Sequence, residues 1–389
     1  MDPRSGRGWL TPFYSKIRDM VKDTLGIAAK ESLIKIAKEV GVRLEKYWEE
    51  ELANDFGFNE TQKELVRKML EHAKEHNLRP AKRVRATFVI YGYLLGKELN
   101  NSRNQELKAE MEKVWRVAEG VEMVHTALLM HDDFMDQDKV RRGLPTTQVI
   151  FGKEDKHYGD SMAVDVGDVV LCLGFERVLT AGFDGEVIKK IMQQMLRGIT
   201  NTAFGQAYDV SLARLGELTE EGVMSLHRAK TAIYTYENPL IIGGILGGLS
   251  EEILTILRDY AMKGGVAFQL QDDVLGVYGD EEKTGKSSNS DLLQGKVTLL
   301  IVKVMEKGNE EQKRAVMKVW GKKKASSEEI EEAKKAIKES GAYQYSVEVS
   351  RKLAEKAAET VAKLRTWGLN AEAIDFLEGI ERYMVEREM

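Results

Sequence analysis

Proline is nearly missing from this chain: five occur in 389 residues, at positions 3, 12, 80, 145 and 239. A helix interior tolerates proline least of all residues, because proline lacks the N–H and clashes with the preceding turn. The spans between these positions are therefore free to be long helices, and they carry the matching periodicity. Between Leu107 and Met130, residues Met111, Val114, Trp115, Ala118, Val121, Val124, His125, Leu128 and Leu129 recur at three-and-four spacing, which makes one apolar stripe. No run of alternating β-branched residues bounded by hairpin turns occurs, so a sheet is not expected. The chain reads as all-α: one large helical domain over residues 31–389, preceded by an extension over residues 1–30. Helix ends are expected at the breaker clusters Asn77 to Pro80, Asn100 to Asn104, Arg142 to Pro145, Gly182 to Gly185, Gly216 to Glu221 and Gly279 to Ser290. Ser326-Ser327 before Glu328-Glu329 signals the start of a charged surface helix.

With 43% apolar and 31% charged residues the chain can bury an ordinary core. A net charge of −5 gives no basic field for nucleic acid, so anionic ligands would have to be recruited locally. The lone Cys172 can form neither an internal disulfide nor a cysteine metal cage, and its apolar run, Val169 to Leu173, reads as buried packing. No stretch is long and apolar enough to span a membrane, and cytoplasm is the expected location.

Two acidic clusters stand out. Asp132, Asp133 and Asp136 close the long helix that begins near Leu107, with Asp132 and Asp136 one turn apart on the same face. Carboxylates crowded at a helix C-terminus repel one another and face the negative end of the dipole, an arrangement that costs stability unless a cation compensates. Asp272 and Asp273 end a second apolar helix, ahead of a loop carrying Gly285 and Lys286. Oxygen-only ligands suit Mg²⁺, which is commonly completed by substrate phosphates. A solvated acidic helix end paired with Arg141 and Arg142 is the plainer alternative for the first cluster, but two such clusters are harder to explain as surface decoration.

On these motifs the chain resembles the trans-isoprenyl diphosphate synthases, the family of farnesyl, geranylgeranyl and longer polyprenyl diphosphate synthases. The DDxxD motif followed by Arg-Arg-Gly is matched by Asp132, Asp133, Asp136, Arg141, Arg142 and Gly143. The second DDxxD is matched by Asp272 and Asp273, with Gly276 in its third acidic place. The family's Gly-Lys-x-x-Arg signature corresponds to Ala81-Lys82-Arg83-Val84-Arg85, with alanine in place of the glycine. The resemblance implies a helical bundle around a central tunnel, several Mg²⁺ ions held by Asp132, Asp133, Asp136 and Asp272, and a homodimer. It implies that Lys82, Arg85, His125 and Arg142 bind isopentenyl diphosphate, and that Arg141 and Lys286 bind an allylic diphosphate. His125 taken alone would more often be a core residue. Lys230, Thr231 and Gln269 are implied to line the space where positive charge develops, Lys296 to be a further lysine of the second site, and Gly205, Gln206 and Asp209 to be structural support.

The implied reaction is a head-to-tail condensation: metal-assisted departure of pyrophosphate, attack by the double bond of isopentenyl diphosphate, then proton loss. A terpene cyclase and a regulatory subunit of a heteromeric prenyltransferase are the alternatives. The first should carry an Asn/Asp, Ser/Thr, Glu pattern that is not found here, and the second should have lost aspartates that this chain keeps. Product length in the family is set below the first cluster. Leu128 and Ala127, then Val124 and Val121, hold no aromatic ring there, so a product of at least twenty carbons is expected.

Overall fold

The computed structural model describes residues 11–97, 105–216, 218–279, 289–322 and 324–386, and nearly all of them are helical. The first helix, α1 (Thr11–Leu52), buries Ala29, Leu33, Ile36, Val40, Leu44 and Trp48, a single stripe at three-and-four spacing. It crosses residue 30 without a break, so its core-facing stripe begins before the point where the extension was expected to end. Asn59 starts α2 (Glu60–Leu78) with a capping box: its side chain accepts from the Gln62 N–H, and the Gln62 side chain accepts from the Asn59 N–H. The fully buried Trp48 donates to Asn77 Oδ1 at 2.8 Å, and Asn77 donates to Thr126 at 2.7 Å. This satisfied polar chain ties α1 and α2 to the helix that carries the first acidic cluster.

That helix is α4 (Gln105–Asp136), which follows α3 (Val84–Leu95). It lies very close to α6 (Lys156–Leu179): a Cβ built on Gly174 would strike the Gly120 carbonyl and Val124. Cys172 corrects the sequence expectation, because it is exposed. Val170 and Gly174 are both buried in α6, and a residue midway between them points about 200° from each, away from α4.

Between α4 and α6 the chain makes a short hairpin, Val140–Arg141 against Leu144–Pro145, a two-stranded exception to the all-helical expectation. Its turn residues Arg142 and Gly143 have φ of 54° and 78°, the left-handed pair that a tight hairpin needs. The buried Arg79 fastens the hairpin to the end of α2 by donating to the Arg141 carbonyl at 3.0 Å and the Pro145 carbonyl at 2.8 Å. The short α5 (Thr147–Phe151) follows, and Gln148 donates to the carbonyl of Asp133 in the last turn of α4 and to that of Asp138 just beyond it.

After α7 (Gly185–Leu215), α8 (Glu220–His227) runs without interruption through a π-helical stretch, Arg228–Glu237, into α9 (Asn238–Leu246). Pro239 fits the C-terminal end of this stretch. It has no N–H to offer the Thr235 carbonyl four residues back, and the Asn238 N–H reaches Ile233, five back. The second acidic cluster rides on α10 (Glu251–Tyr278). Beyond it come α11 (Ser290–Gln294), α12 (Leu299–Lys307), α13 (Glu310–Val319), α14 (Ser327–Glu339), α15 (Ala342–Ala362) and α16 (Ala371–Glu386). The expected charged helix is α14, opened by a Ser326/Glu329 capping box. It is not merely a surface helix: Ala333, Ala336 and Ile337 close a satellite core with Val274, Leu300 and Val316.

Candidate active site

A cavity of about 1250 Å³ opens among these helices. Its wall includes Lys82, Arg85, His125, Asp132, Arg141 and Arg142 from one part of the chain. From the other part it includes Lys230, Thr231, Gln269, Asp272, Asp273 and Lys296. Residues separated by up to about two hundred positions in sequence therefore meet in one space. Lys286 lies outside the described residues.

At the acidic end, carboxylates and cations interlock. Lys230 stands 3.2 Å from Asp132 and 2.7 Å from Asp209, and Lys296 stands 3.1 Å from Asp136. Burial opposes ionisation of Asp132, but Lys230, Arg141 and Lys296 outweigh it and hold the carboxyl below its usual range. The same balance pushes Lys296 up: burial lowers it, while Asp291, Asp136 and Asp209 more than compensate. Gln206 donates to Asp136 at 3.2 Å. Gln206 and Asp209, expected as support, hold Asp136 and Lys230 through side chains that themselves reach the cavity wall, and Gly205 gives the Lys230 backbone room to approach. The π-helical stretch presents Lys230 and Thr231 together, and Thr231 donates to Gln269 at 2.7 Å. Gln269 in turn donates to Asp273 at 2.9 Å, and His227 lies 3.0 Å from the other oxygen of that carboxylate.

Asp133 differs from its expected place among the metal ligands. It is fully buried outside the cavity wall, bound by Arg141, whose Nε donates to it at 2.6 Å, with His76 3.9 Å away. The reason is helical geometry: Asp133 is about 100° around α4 from Asp132, on the side facing α2 and the hairpin. Arg141 is correspondingly locked, with Asp132 and Asp138 each at 3.5 Å as well as Asp133, and these carboxylates push it up despite burial.

The opposite end is cationic. Arg85 donates to Thr235 at 2.6 Å, contacts His125 Nε2 at 2.9 Å and lies 5.0 Å from the Tyr234 ring. Among the described residues neither Arg85 nor Arg142 has a carboxylate within ion-pair distance. Burial, then the neighbouring Arg83, brings Arg142 down to about 10, and burial lowers Arg85 too. His125 is depressed well below its usual value by burial and by Arg85, so it is a neutral imidazole. Desolvated cations without counter-charges make a receptor for an anion. Glu122 shapes this end from behind, accepting from the Ala86 N–H at 3.1 Å and from Arg83 at 3.3 Å. Arg83, not Ala81, takes the left-handed turn here (φ 50°), so the missing glycine is not needed for the backbone.

Of the expected length-setting residues, Leu128 is in the cavity wall. Ala127, Val124 and Val121 are buried in the core and are not. Sequence reasoning missed Tyr234, Thr235, Glu122, His227 and Asp291. Pro239 inside an apolar helical run could have flagged the π turn that presents the first two.

The family model for polyprenyl synthetase matches residues 67–337. The chain is 30% identical over 288 residues to a geranylgeranyl diphosphate synthase of Saccharolobus solfataricus, covering 74% of this chain and 83% of that one. It is 31% identical over 284 residues to a geranylfarnesyl diphosphate synthase of Aeropyrum pernix, covering 72% and 85%. Its fold matches geranylgeranyl pyrophosphate synthase from Corynebacterium glutamicum, solved with isoprenyl diphosphate and magnesium, at a TM-score of 0.79 and 25% identity, over 94% and 99% of the two chains. The chain belongs to the polyprenyl synthetase family, prenyltransferases that lengthen isoprenoid diphosphates head to tail.

Proposed function

We propose that this enzyme joins isopentenyl diphosphate to an allylic diphosphate with magnesium and releases a product of at least twenty carbons, geranylgeranyl diphosphate or longer. The observation that carries the reading is the polarity of the single cavity. One end offers cations without counter-charges, and the other offers paired carboxylates and lysines. The donor set fits magnesium. Asp132, Asp136 and Asp272 are hard oxygen ligands, the first and last of them in the cavity wall, while Oδ2 of Asp136 faces Lys296 Nζ at 3.1 Å. When bound, the metal would supply Lewis-acid stabilisation of the departing diphosphate.

Asp132, Asp136 and Asp272 would hold it, and Lys230 and Lys296 would add positive charge beside the allylic diphosphate. Lys82, Arg85 and Arg142 would grip isopentenyl diphosphate, with neutral His125 and Thr235 keeping Arg85 in place. Thr231 and Gln269 fix each other, and Gln269 is held again by Asp273, so their oxygen dipoles stand preorganised where positive charge develops. The allylic carbon–oxygen bond breaks first, the double bond then attacks the allylic cation, and the proton lost afterwards passes to the departed diphosphate. Asp133 and Arg141 act as positioning groups in this account. A geranylgeranyl and a geranylfarnesyl diphosphate synthase among the relatives support the product range. Homodimeric assembly is part of the proposal, supported by the exposed apolar Val164, Leu196, Phe204 and Val210 on α6 and α7. No helix among the described residues is long and apolar enough to cross a membrane.

Incubating the purified chain with labelled isopentenyl diphosphate and, in turn, dimethylallyl, geranyl and farnesyl diphosphate tests the reading. Products should reach twenty carbons or more. Elongation that stops at fifteen carbons, or none by the chain alone, overturns it.

A further inference from the structure

Arg79, where α2 stops, stands outside the cavity wall, yet its side chain is only 1% exposed. A guanidinium carries five N–H donors in a fixed fork, and a buried one must find acceptors for them. Glu75 takes two, from Nε at 3.0 Å and Nη2 at 2.8 Å. Nη1 donates to the Arg141 carbonyl at 3.0 Å, and Nη2 also donates to the Pro145 carbonyl at 2.8 Å. Those carbonyls belong to opposite strands of the hairpin, so one side chain ties the strands to each other and to α2. Between them, Arg142 has φ of 54°, a left-handed conformation that a residue with a side chain keeps only where its surroundings fix it. Among the described residues the one hydrogen bond of the Arg142 side chain runs from Nη1 to the Arg79 carbonyl at 3.4 Å. The Arg141 side chain is held differently, by Asp133, Asp132 and Asp138.

We propose that Arg79 is a positioning residue for isopentenyl diphosphate: it never reaches the substrate, and it sets the hairpin so that Arg142 presents its guanidinium to the cavity. The inference rests on the reading that Arg142 grips the retained diphosphate. Both parts of Arg79 take part. Its side chain fixes where the turn lies, and its carbonyl meets the head of the arginine that the turn carries. Lysine could not replace it, because a single ammonium cannot span a carboxylate and two carbonyls as the planar fork does. The effect should fall on one substrate. Arg141 keeps its carboxylates when the hairpin loosens, so the acidic end holds. Arg85 is held by His125 and Thr235, away from the hairpin, so the cationic end is weakened rather than lost.

The test is a double-mutant cycle on the full chain: Arg79→Lys, Arg142→Ala and the two together, against wild type. Isopentenyl diphosphate and geranyl diphosphate are each varied with Mg²⁺ in excess, and thermal melting follows stability separately. Arg79→Lys should raise KM for isopentenyl diphosphate about fivefold, with kcat and the KM for geranyl diphosphate within about twofold, the pattern of a lost binding contact. Arg142→Ala should raise the same KM about tenfold or more. Adding Arg79→Lys to Arg142→Ala should change it less than about twofold, because a positioning residue has nothing left to position. A purely structural role would lower the melting temperature and leave KM alone. That result, or effects that multiply in the double variant, overturns the inference and leaves the role of Arg142 standing. If Arg142→Ala itself leaves KM unchanged, the reading of Arg142 falls and the inference falls with it. Should Arg79→Lys fail to fold, Glu75→Ala replaces it in the cycle, because it takes the carboxylate from the fork. A rise of about two- to threefold is then expected, absent in the Arg142→Ala background, and no rise overturns the inference.

Discussion

The two ends of the cavity, each proposed to hold a diphosphate, are built in opposite ways. At the Asp132 end every cation near the surface already faces a carboxylate: Lys230 has Asp132 and Asp209, Lys296 has Asp136, and Arg141 has three. At the Arg85 end, Arg85 and Arg142 make their direct contacts with neutral groups, Thr235, His125, Tyr234 and the Arg79 carbonyl, and Glu122 acts on them only from beyond ion-pair distance. A diphosphate arriving at the second end meets bare positive charge. One arriving at the first meets a near-neutral lattice and needs added cations to be held. The proposed reading accordingly puts the departing diphosphate at the acidic end, where metal would take up its charge, and the retained diphosphate at the cationic end.

The sharpest way to break this division is Asp132→Ala. It removes an oxygen proposed to hold the metal beside the leaving group, and turnover should fall about 100-fold or more. Helix content should be unchanged, because a carboxylate at the C-terminus of α4 opposes the helix dipole. Near-normal turnover in single-turnover assays would show that charge separation does not depend on this end.

Next in size is a paired comparison across the cavity. Arg85→Ala should raise the Michaelis constant for isopentenyl diphosphate, whereas Lys230→Ala should act on the allylic substrate and on turnover. Losing a charged hydrogen bond of this kind costs about 1.5–3 kcal/mol. Lys230→Ala also leaves Asp132 with less compensation, so its effect should exceed that of Arg85→Ala on the rate. Equal changes in one shared constant would erase the distinction between the ends.

The contrast also explains what was legible in the sequence. Charged side chains at helical spacing announce themselves, so Asp132, Asp272, Lys82, Arg85 and Lys230 could be picked out along one dimension. The long helices were equally readable from three-and-four periodicity. What stayed hidden depends on rotation about a helix axis or on chain returning from far away. Asp133 belongs to the motif but turns away from the cavity by one residue's rotation, and Cys172 faces outward for the same reason. Asp291 and Glu122 reach the site only through tertiary packing, and Pro239 marks only the C-terminal end of the π turn.

The same rotation sharpens the product-length expectation. Leu128 is in the cavity wall, while Ala127 is fully buried in the core. Leu128→Phe should therefore put a ring into the space available to the growing chain and shift output toward fifteen carbons, with the diphosphate-binding constants little changed. Ala127→Phe should instead overpack the core, costing about 1–3 kcal/mol in unfolding free energy. A shorter product from Ala127→Phe at unaltered stability would mean that the chain grows along a different face of α4.

The smallest expected effect lies at the cationic end. His125 is the only ordinarily near-neutral titrating group among the residues named there, and its proximity to Arg85 tempts one to give it a charge. Burial and then Arg85 drive its pKa well below the usual value, so the imidazole keeps a single proton and stays neutral. A depressed histidine gains its second proton only under acid conditions, and the free site therefore keeps the same charge from pH 6 to 8. Because kcat/KM reports ionisations of the free enzyme, its pH profile for isopentenyl diphosphate should show no inflection from this residue. His125→Gln should preserve the shape of that profile, changing only its height through the lost contact to Arg85. An inflection near pH 6.5 in wild type that vanishes in His125→Gln would show that the retained diphosphate is gripped by a titrating imidazolium, and that the cationic end is not fixed by its arginines alone.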